Sequence, residues 1–204
     1  NGPFKLAKWQ HEYKIELEGN EKFFEGPPKL KRIKMFMVPE ASTAFALYEN
    51  NELDFVDNRS FATPDVERYR KSPEYKNFPL LRAYYLAFNV SKKPFDDVRI
   101  RKAFAQSVDR TVFPKILRRG ERPTASWIPP ALGGNPDSGM SFNPEEARRL
   151  LAEAGYPGGK GFPETKILYP NREDVRLVVE ATQDEIKRNL GVHVELVNQE
   201  WKVY

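Results

Sequence analysis

Between residues 165 and 198 an apolar run, a long amphipathic stretch and a second apolar run follow one another with short links. "TKILY" at 165–169 reads as a strand. Residues 173–190 place Val175, Val178, Val179, Thr182 and Ile186 on one face of a helix. "VHVELVN" at 192–198 reads as a second strand. Strands alternating with helices imply an α/β fold with parallel pairings, because parallel strands need a crossover that a helix supplies.

The opposite end of the chain has a different period. "FKLAKWQHEYKIELEG" at 4–19 alternates apolar and polar on both sides of "QHE", the pattern of a β-hairpin. Phe4, Leu6 and Trp9 fall in its first strand, and Tyr13, Ile15 and Leu17 share one face of the second. A Pro-stiffened loop follows at 25–32, then a strand at 33–38, "IKMFMV". A helix starting at Pro39 or Ser42 turns Ala44, Leu47 and Tyr48 inward. "LDFVD" at 53–57 reads as a short strand. "TPDVERYRKS" at 63–72 reads as a helix with a Thr N-cap and Pro at its first position. "PLLRAYYLAFN" at 79–89 is aromatic and β-prone, and reads as a strand buried on at least one face. The expected architecture is mixed sheets flanked by helices.

The loudest charge pattern is "PFDDVRIRKAFAQSVDR" at 94–110. Asp96 or Asp97 caps a helix in which Ile100, Ala103, Phe104, Ser107 and Val108 form one apolar stripe. The spacing pairs Asp96 with Arg99 and Asp97 with Arg101 on the outer face, each pair worth only ~0.2–0.5 kcal/mol. This is a capped amphipathic helix with a solvated face. Basic residues number 33 against 29 acidic ones, for a net charge of +4, and acids interrupt almost every basic run. That interleaving argues against nucleic acid as a partner. Residues 120–142 are irregular and rich in Pro and Gly. Asn143 then caps the helix "PEEARRLLAEAG", which Gly155 ends.

Chemistry finds few candidates. The chain has no Cys and two His, His11 and His193, far apart in sequence. Thiolate metal sites, disulfides and a Cys nucleophile are excluded, and a Ser-His-Asp triad has little to be built from. "GYPGGKGF" at 155–162 fails the phosphate-loop spacing at both ends and reads as a helix C-cap with a strand-entry loop. Glu52, Asp54 and Asp57 are a carboxylate cluster with no nucleophile or His close in sequence, so exposed edge charges are the expected reading. No enzyme activity, metal or cofactor is expected. Tyr84 and Tyr85 are adjacent in a strand and so face opposite ways, which lets one ring enter the core while the other lines a cleft. Trp127 and Trp201 read either as cleft walls or as core. No apolar run approaches the ~20 residues that span a bilayer. The opening "NGPFKLAKW" and the closing "VNQEWKVY" both read as cut, which predicts a middle portion of a longer protein.

In order along the chain, "GPFKLAKW", "ALYENNELDFVDN", "YYLAFNVSKKPFDDVRIRKAFAQSVDR", "NPEEARRLLAEAGYPGGKGFP" and "IKRNLGVHVELVNQEW" resemble the extracellular solute-binding proteins of peptide ABC importers. The resemblance spans essentially the whole chain, and the 94–110 block is its most specific piece. It implies a periplasmic binding protein-like class II fold, here partial, with two lobes. Residues 1–82 would belong to the first lobe and 83–204, with the lobe-crossing strand, to the start of the second. It implies capture of oligopeptides or dipeptides and their delivery to ABC permease subunits; the same family also takes nickel chelates, sugars and opines. It implies a place in the periplasm or on the outer face of the cytoplasmic membrane, soluble or as a lipoprotein. Asp57, Asn58 and Arg59 would stand at the mouth of the first lobe, and Tyr84, Tyr85 and Asn89 near the ligand or hinge. Where some members carry an acidic residue two places past the second Tyr, this sequence has Ala87. The aspartate that anchors the ligand's amino terminus in the family lies beyond Tyr204. Sheet edges left open in such a piece predict dimerisation.

Overall fold

The computed structural model describes residues 2–57, 63–78 and 80–203. The chain divides into two compact units, Asn1–Arg70 and Lys71–Tyr204.

The first unit begins with an antiparallel sheet of β1 (Phe4–Gln10), β2 (Lys14–Gly19) and β3 (Arg32–Phe36), in that order. The expected hairpin forms. Its turn places Glu12 in the left-handed region at φ 59°, and the Tyr13 amide donates to the Gln10 carbonyl at 3.1 Å. Leu6 pairs with Leu17 and Lys8 with Glu16, so Ala7 is an extra residue in a β-bulge. The bulge shifts the alternation by one position. Leu6 and Trp9, three apart, therefore share a face with their partners Leu17 and Ile15, and with Ile33 and Met35 of β3. The other face carries charge: Lys8, Glu16 and Lys34 lie in one cross-strand row, and Lys14 meets Glu16 at 2.7 Å.

Two helices complete this unit, α1 (Ala41–Glu49) and α2 (Thr63–Tyr69). Phe45 and Val66 are buried, and the Phe45 and Tyr69 rings meet edge-on at 4.8 Å. The Tyr69 hydroxyl donates to Glu49 at 2.7 Å, and Arg68 pairs with the same carboxylate. Glu49 thus ties the end of α1 to the end of α2. The inward face of α1 differs from the expected one: Ala44 and Phe45 are buried, while Leu47 and Tyr48 are half-buried. Residues 53–57 form no strand, and Phe55 is 78% exposed. No strand pairs with this segment among the described residues, so its backbone has no ladder to join.

The second unit is built on helices α3 (Val98–Gln106), α4 (Val112–Leu117), α5 (Pro144–Glu153) and α6 (Glu173–Leu190) and strands β4 (Thr165–Pro170) and β5 (Val194–Gln199). Asp97 caps α3: its Oδ1 accepts from the Arg99 amide at 2.8 Å. The predicted stripe is the buried one, with Ile100, Ala103, Phe104 and Ser107 buried and Val108 half-buried. The arginines behave otherwise than spacing suggests. Arg99 folds back on Asp97 at 2.6 Å and donates to the Glu153 carbonyl at 2.8 Å. Arg101 donates to the Phe95 and Asp96 carbonyls at 2.7 and 3.0 Å. Both guanidiniums satisfy backbone carbonyls, which a count of charges three and four apart does not see.

Asn143 caps α5, its Oδ1 accepting from the Glu146 amide at 3.1 Å, and Gly155 follows the helix at φ 98°. β4 and β5 pair in parallel, Thr165 opposite Val194 through Pro170 opposite Gln199, with α6 as the crossover. Ile186 and Leu190 of α6, Leu150 and Leu151 of α5 and Val192 and Val194 join the α3 stripe in one core. Phe88, Phe95, Phe104 and Phe162 continue it as an aromatic chain with centroid spacings of 5.0, 5.2 and 5.4 Å. The glycine loop at 155–162 packs on the end of α6. A Cβ at Gly159 would lie 2.6 Å from the Gly191 backbone, so Gly159 serves a backbone contact. Glu185 is buried, a feature its sequence context does not announce. Its carboxylate accepts from the Asp109 amide and the Asn189 side chain, both at 3.3 Å, and pairs with Arg188 at 2.8 Å.

Candidate functional site

The segment 79–89 reads from its sequence as a strand buried on at least one face. It forms no strand among its described residues, and only Phe88 packs against the core. Strand propensity describes how side chains fit a pleated surface; the strand itself needs a backbone neighbour. Tyr84 and Tyr85 are 66% and 63% exposed, so neither ring is core. They do part ways, as adjacent extended residues must. Tyr85 lies against Trp127 with centroids 4.3 Å apart and planes tilted by 47°. Tyr84 meets Arg82, whose Nη1 donates to the Tyr84 hydroxyl at 3.3 Å.

Trp127 is 70% exposed, so the Tyr85–Trp127 pair is an aromatic platform open to solvent. Such a pair offers broad apolar area and a polar edge at low entropic cost to a ligand. Tyr84, turned the other way, meets a cationic pair, Arg82 and Arg172. The hydrogen bond from Arg82 lowers the Tyr84 hydroxyl's pKa from its ordinary value; burial opposes this, and Arg172 adds to the lowering. Burial works against the charge of Arg172, yet bonds to Asp174 and Tyr84 hold its pKa above the ordinary value. Arg172 Nε donates to Asp174 at 3.1 Å, with a second, shorter bond from Nη2. Arg82 and Arg172 were not singled out from sequence. They lie ninety positions apart and no local pattern joins them.

The remaining expected site residues are placed as follows. Asn89 is exposed, and its Oδ1 accepts from the Ser91 amide at 3.3 Å and hydroxyl at 2.7 Å, which makes it a turn former ahead of α3. Asp57 is exposed at the end of a loop in the first unit, as are Glu52 and Asp54 before it. Asn58 and Arg59 lie outside the described residues. Trp201 is 72% exposed. Among the described residues no group of three or more His, Cys, Asp or Glu could hold a metal ion.

Comparison with known proteins decides the family. Residues 1–204 match the family described as bacterial extracellular solute-binding proteins, family 5 Middle. The chain belongs to these family-5 solute-binding proteins. It is similar to the oligopeptide-binding protein OppA of Bacillus subtilis, with 32% identity over all of this chain and 40% of that protein. The structure of the periplasmic oligopeptide-binding protein OppAIV of Borrelia burgdorferi superposes with a TM-score of 0.88 at 32% identity, covering 100% of this chain and 41% of that one. Haemophilus influenzae OppA, solved in complex with RPPGFSPFR, superposes with a TM-score of 0.80 at 31% identity, covering 100% and 42%. The family-5 chain thus spans about 40% of the length of the curated relatives it matches. Its family is one of solute-binding proteins rather than enzymes, and its fold is the α/β fold of periplasmic peptide-binding proteins, in part.

Proposed function

We propose that this chain is part of the substrate-binding component of an ABC importer, one that captures oligopeptides or dipeptides and hands them to membrane permease subunits without chemistry. In this reading residues 1–82 belong to the first lobe and 83–204 to the second. The protein works in the periplasm or on the outer face of the cytoplasmic membrane. Peptide backbones are held by main-chain hydrogen bonds. Tyr85 and Trp127 stack on apolar or planar ligand side chains, while Arg82 and Arg172, at Tyr84, supply charge for a carboxylate. By the family resemblance, Asp57, Asn58 and Arg59 in the first lobe and Tyr84 and Asn89 in the second are also ligand-binding residues.

The observation that carries the reading is the open Tyr85–Trp127 platform on a segment whose exposed residues include Leu80, Leu81 and Leu86. In a family of solute binders, apolar area of this kind is where a ligand gains most. The test is calorimetry on the full-length protein with the nonapeptide RPPGFSPFR and a mixed dipeptide pool, together with mass spectrometry of small molecules that co-purify. Micromolar or tighter binding of either probe supports the proposal. Co-purification of a non-peptide solute, with no binding of either probe, would overturn it.

A further inference from the structure

Trp127 lies in the long segment 120–142, whose one regular element among the described residues is a single 3-10 turn at Pro130–Leu132 that does not include it. A ring that is 70% exposed on such a loop would ordinarily sample many orientations. Something must hold it on Tyr85.

Several contacts converge on the loop. Arg110, at the turn after α3, is half-buried and reaches two ways: Nη2 donates to the Ala105 carbonyl at the end of α3 at 3.2 Å, and Nη1 donates to the Met140 carbonyl at 3.0 Å. Met140 follows Gly139, whose backbone lies flat on Ala125: a Cβ built on Gly139 would stand 1.9 Å from the Ala125 carbonyl oxygen. Two residues on is Trp127. Gly134 makes the same approach on the other side, where a Cβ would stand 1.7 Å from the Ile128 carbonyl oxygen. Between them the Ser126 hydroxyl donates to the Ile128 carbonyl at 3.1 Å and accepts from the Ile128 amide at 3.2 Å. The far end of the loop is held by Asn143, whose amide donates to the Gln106 carbonyl at 2.9 Å.

We propose that Arg110 is a positioning residue for Trp127: it pins the returning arm of the loop to α3, and that arm, through the side-chain-free surfaces of Gly139 and Gly134, clamps residues 125–128 so that the indole stays on Tyr85. The clamp works because the planar guanidinium has five N–H donors in a fixed fork and can bond two carbonyls on different segments at once. Burial alone lowers the Arg110 pKa, and its donors are directed at carbonyls. Glycine is required because backbone oxygens on the facing arm leave no room for a methyl group.

The consequence for ligands rests on the function proposed above, so the test reads the two separately. In the full-length protein with every other tryptophan replaced by Phe, the long-wavelength edge of the near-ultraviolet circular dichroism, where tryptophan absorbs and tyrosine and phenylalanine do not, reports how the Trp127 ring is held. Arg110→Met, which keeps the length but cannot donate, and Gly139→Ala, in an exposed loop outside the core, should each abolish that signal while the far-ultraviolet spectrum is unchanged. Arg110→Lys should keep part of it, because one carbonyl can still be reached. Affinity for RPPGFSPFR should fall about tenfold in the first two variants. An unchanged near-ultraviolet signal in both Arg110→Met and Gly139→Ala would overturn the proposal. Loss of the signal with undiminished peptide affinity would support the clamp and remove Trp127 from the binding surface.

Discussion

In the second unit Ile100, Ala103 and Phe104 of α3 face Leu150 and Leu151 of α5, and all five are buried. In the first unit Leu6 and Trp9 lie in one face with Ile15, Leu17, Ile33 and Met35, yet Leu6 is 60% and Trp9 52% exposed. Both sets are written in the sequence with equal clarity, one at the helical period and the other at the strand period. The difference is a second layer. Helices α3, α5 and α6 cover one another, whereas the apolar sheet face of the first unit stays open among the described residues. Amphipathic patterning specifies which face can be buried; burial itself requires a matching surface, and only burial contributes the ~25 cal/mol per Å² of the hydrophobic effect.

The comparison can be broken with ring deletions of similar size in the two regions. Phe104→Ala should cost about 3–5 kcal/mol of stability in urea unfolding, since the ring is buried and touches Phe95 and Phe162. A loss below about 1 kcal/mol would mean that the helical core is loosely packed. Arg101→Ala comes next, at about 1–2 kcal/mol, because it strips the Phe95 and Asp96 carbonyls of their donor in a half-buried place. Spacing alone made Arg101 a surface charge worth a few tenths, so the same melt distinguishes the two accounts. Tyr85→Ala belongs to neither region's core. It should leave the melting temperature near that of the parent and weaken RPPGFSPFR binding to the full-length protein by about 1 kcal/mol, read by calorimetry. Tyr84→Ala should likewise spare stability, in contrast to the core role its neighbour's orientation implied. Trp9→Ala should cost this chain less than about 0.5 kcal/mol, the smallest effect, despite removing the largest side chain. A loss approaching that of Phe104 would show that the open face is covered after all.

What could be read in advance follows physical range. Asp97, Asn143 and Gly155 act within three residues of themselves, so the ends of α3 and α5 were legible. The α6 stripe and the parallel pairing of β4 with β5 followed from period and order. Segments 53–57 and 80–89 carry strand composition but were misread, because pairing depends on a neighbour far away in sequence or absent from the segment's surroundings. The short α4 has no cap signal, its N-cap Thr111 making no side-chain bond, and went unread. At the candidate site, the aromatic residues Tyr84, Tyr85 and Trp127 were visible as types. The Tyr85–Trp127 contact and the meeting of Arg82 with Arg172 at Tyr84 span about 40 and 90 positions, and no local rule reports them.

The bulge at Ala7 gives the first sheet a tolerance that its other strands lack. Since Ala7 has no partner, β1 holds one residue of slack: a chain one shorter at that position would still set Leu6 against Leu17 and Trp9 against Ile15. β2 is bonded on both sides, and losing Ile15 would throw every later partner in β1 and β3 onto the wrong face. Length variation between homologous sheets of this kind should therefore collect at the edge strand and spare the middle one, whatever the residues involved.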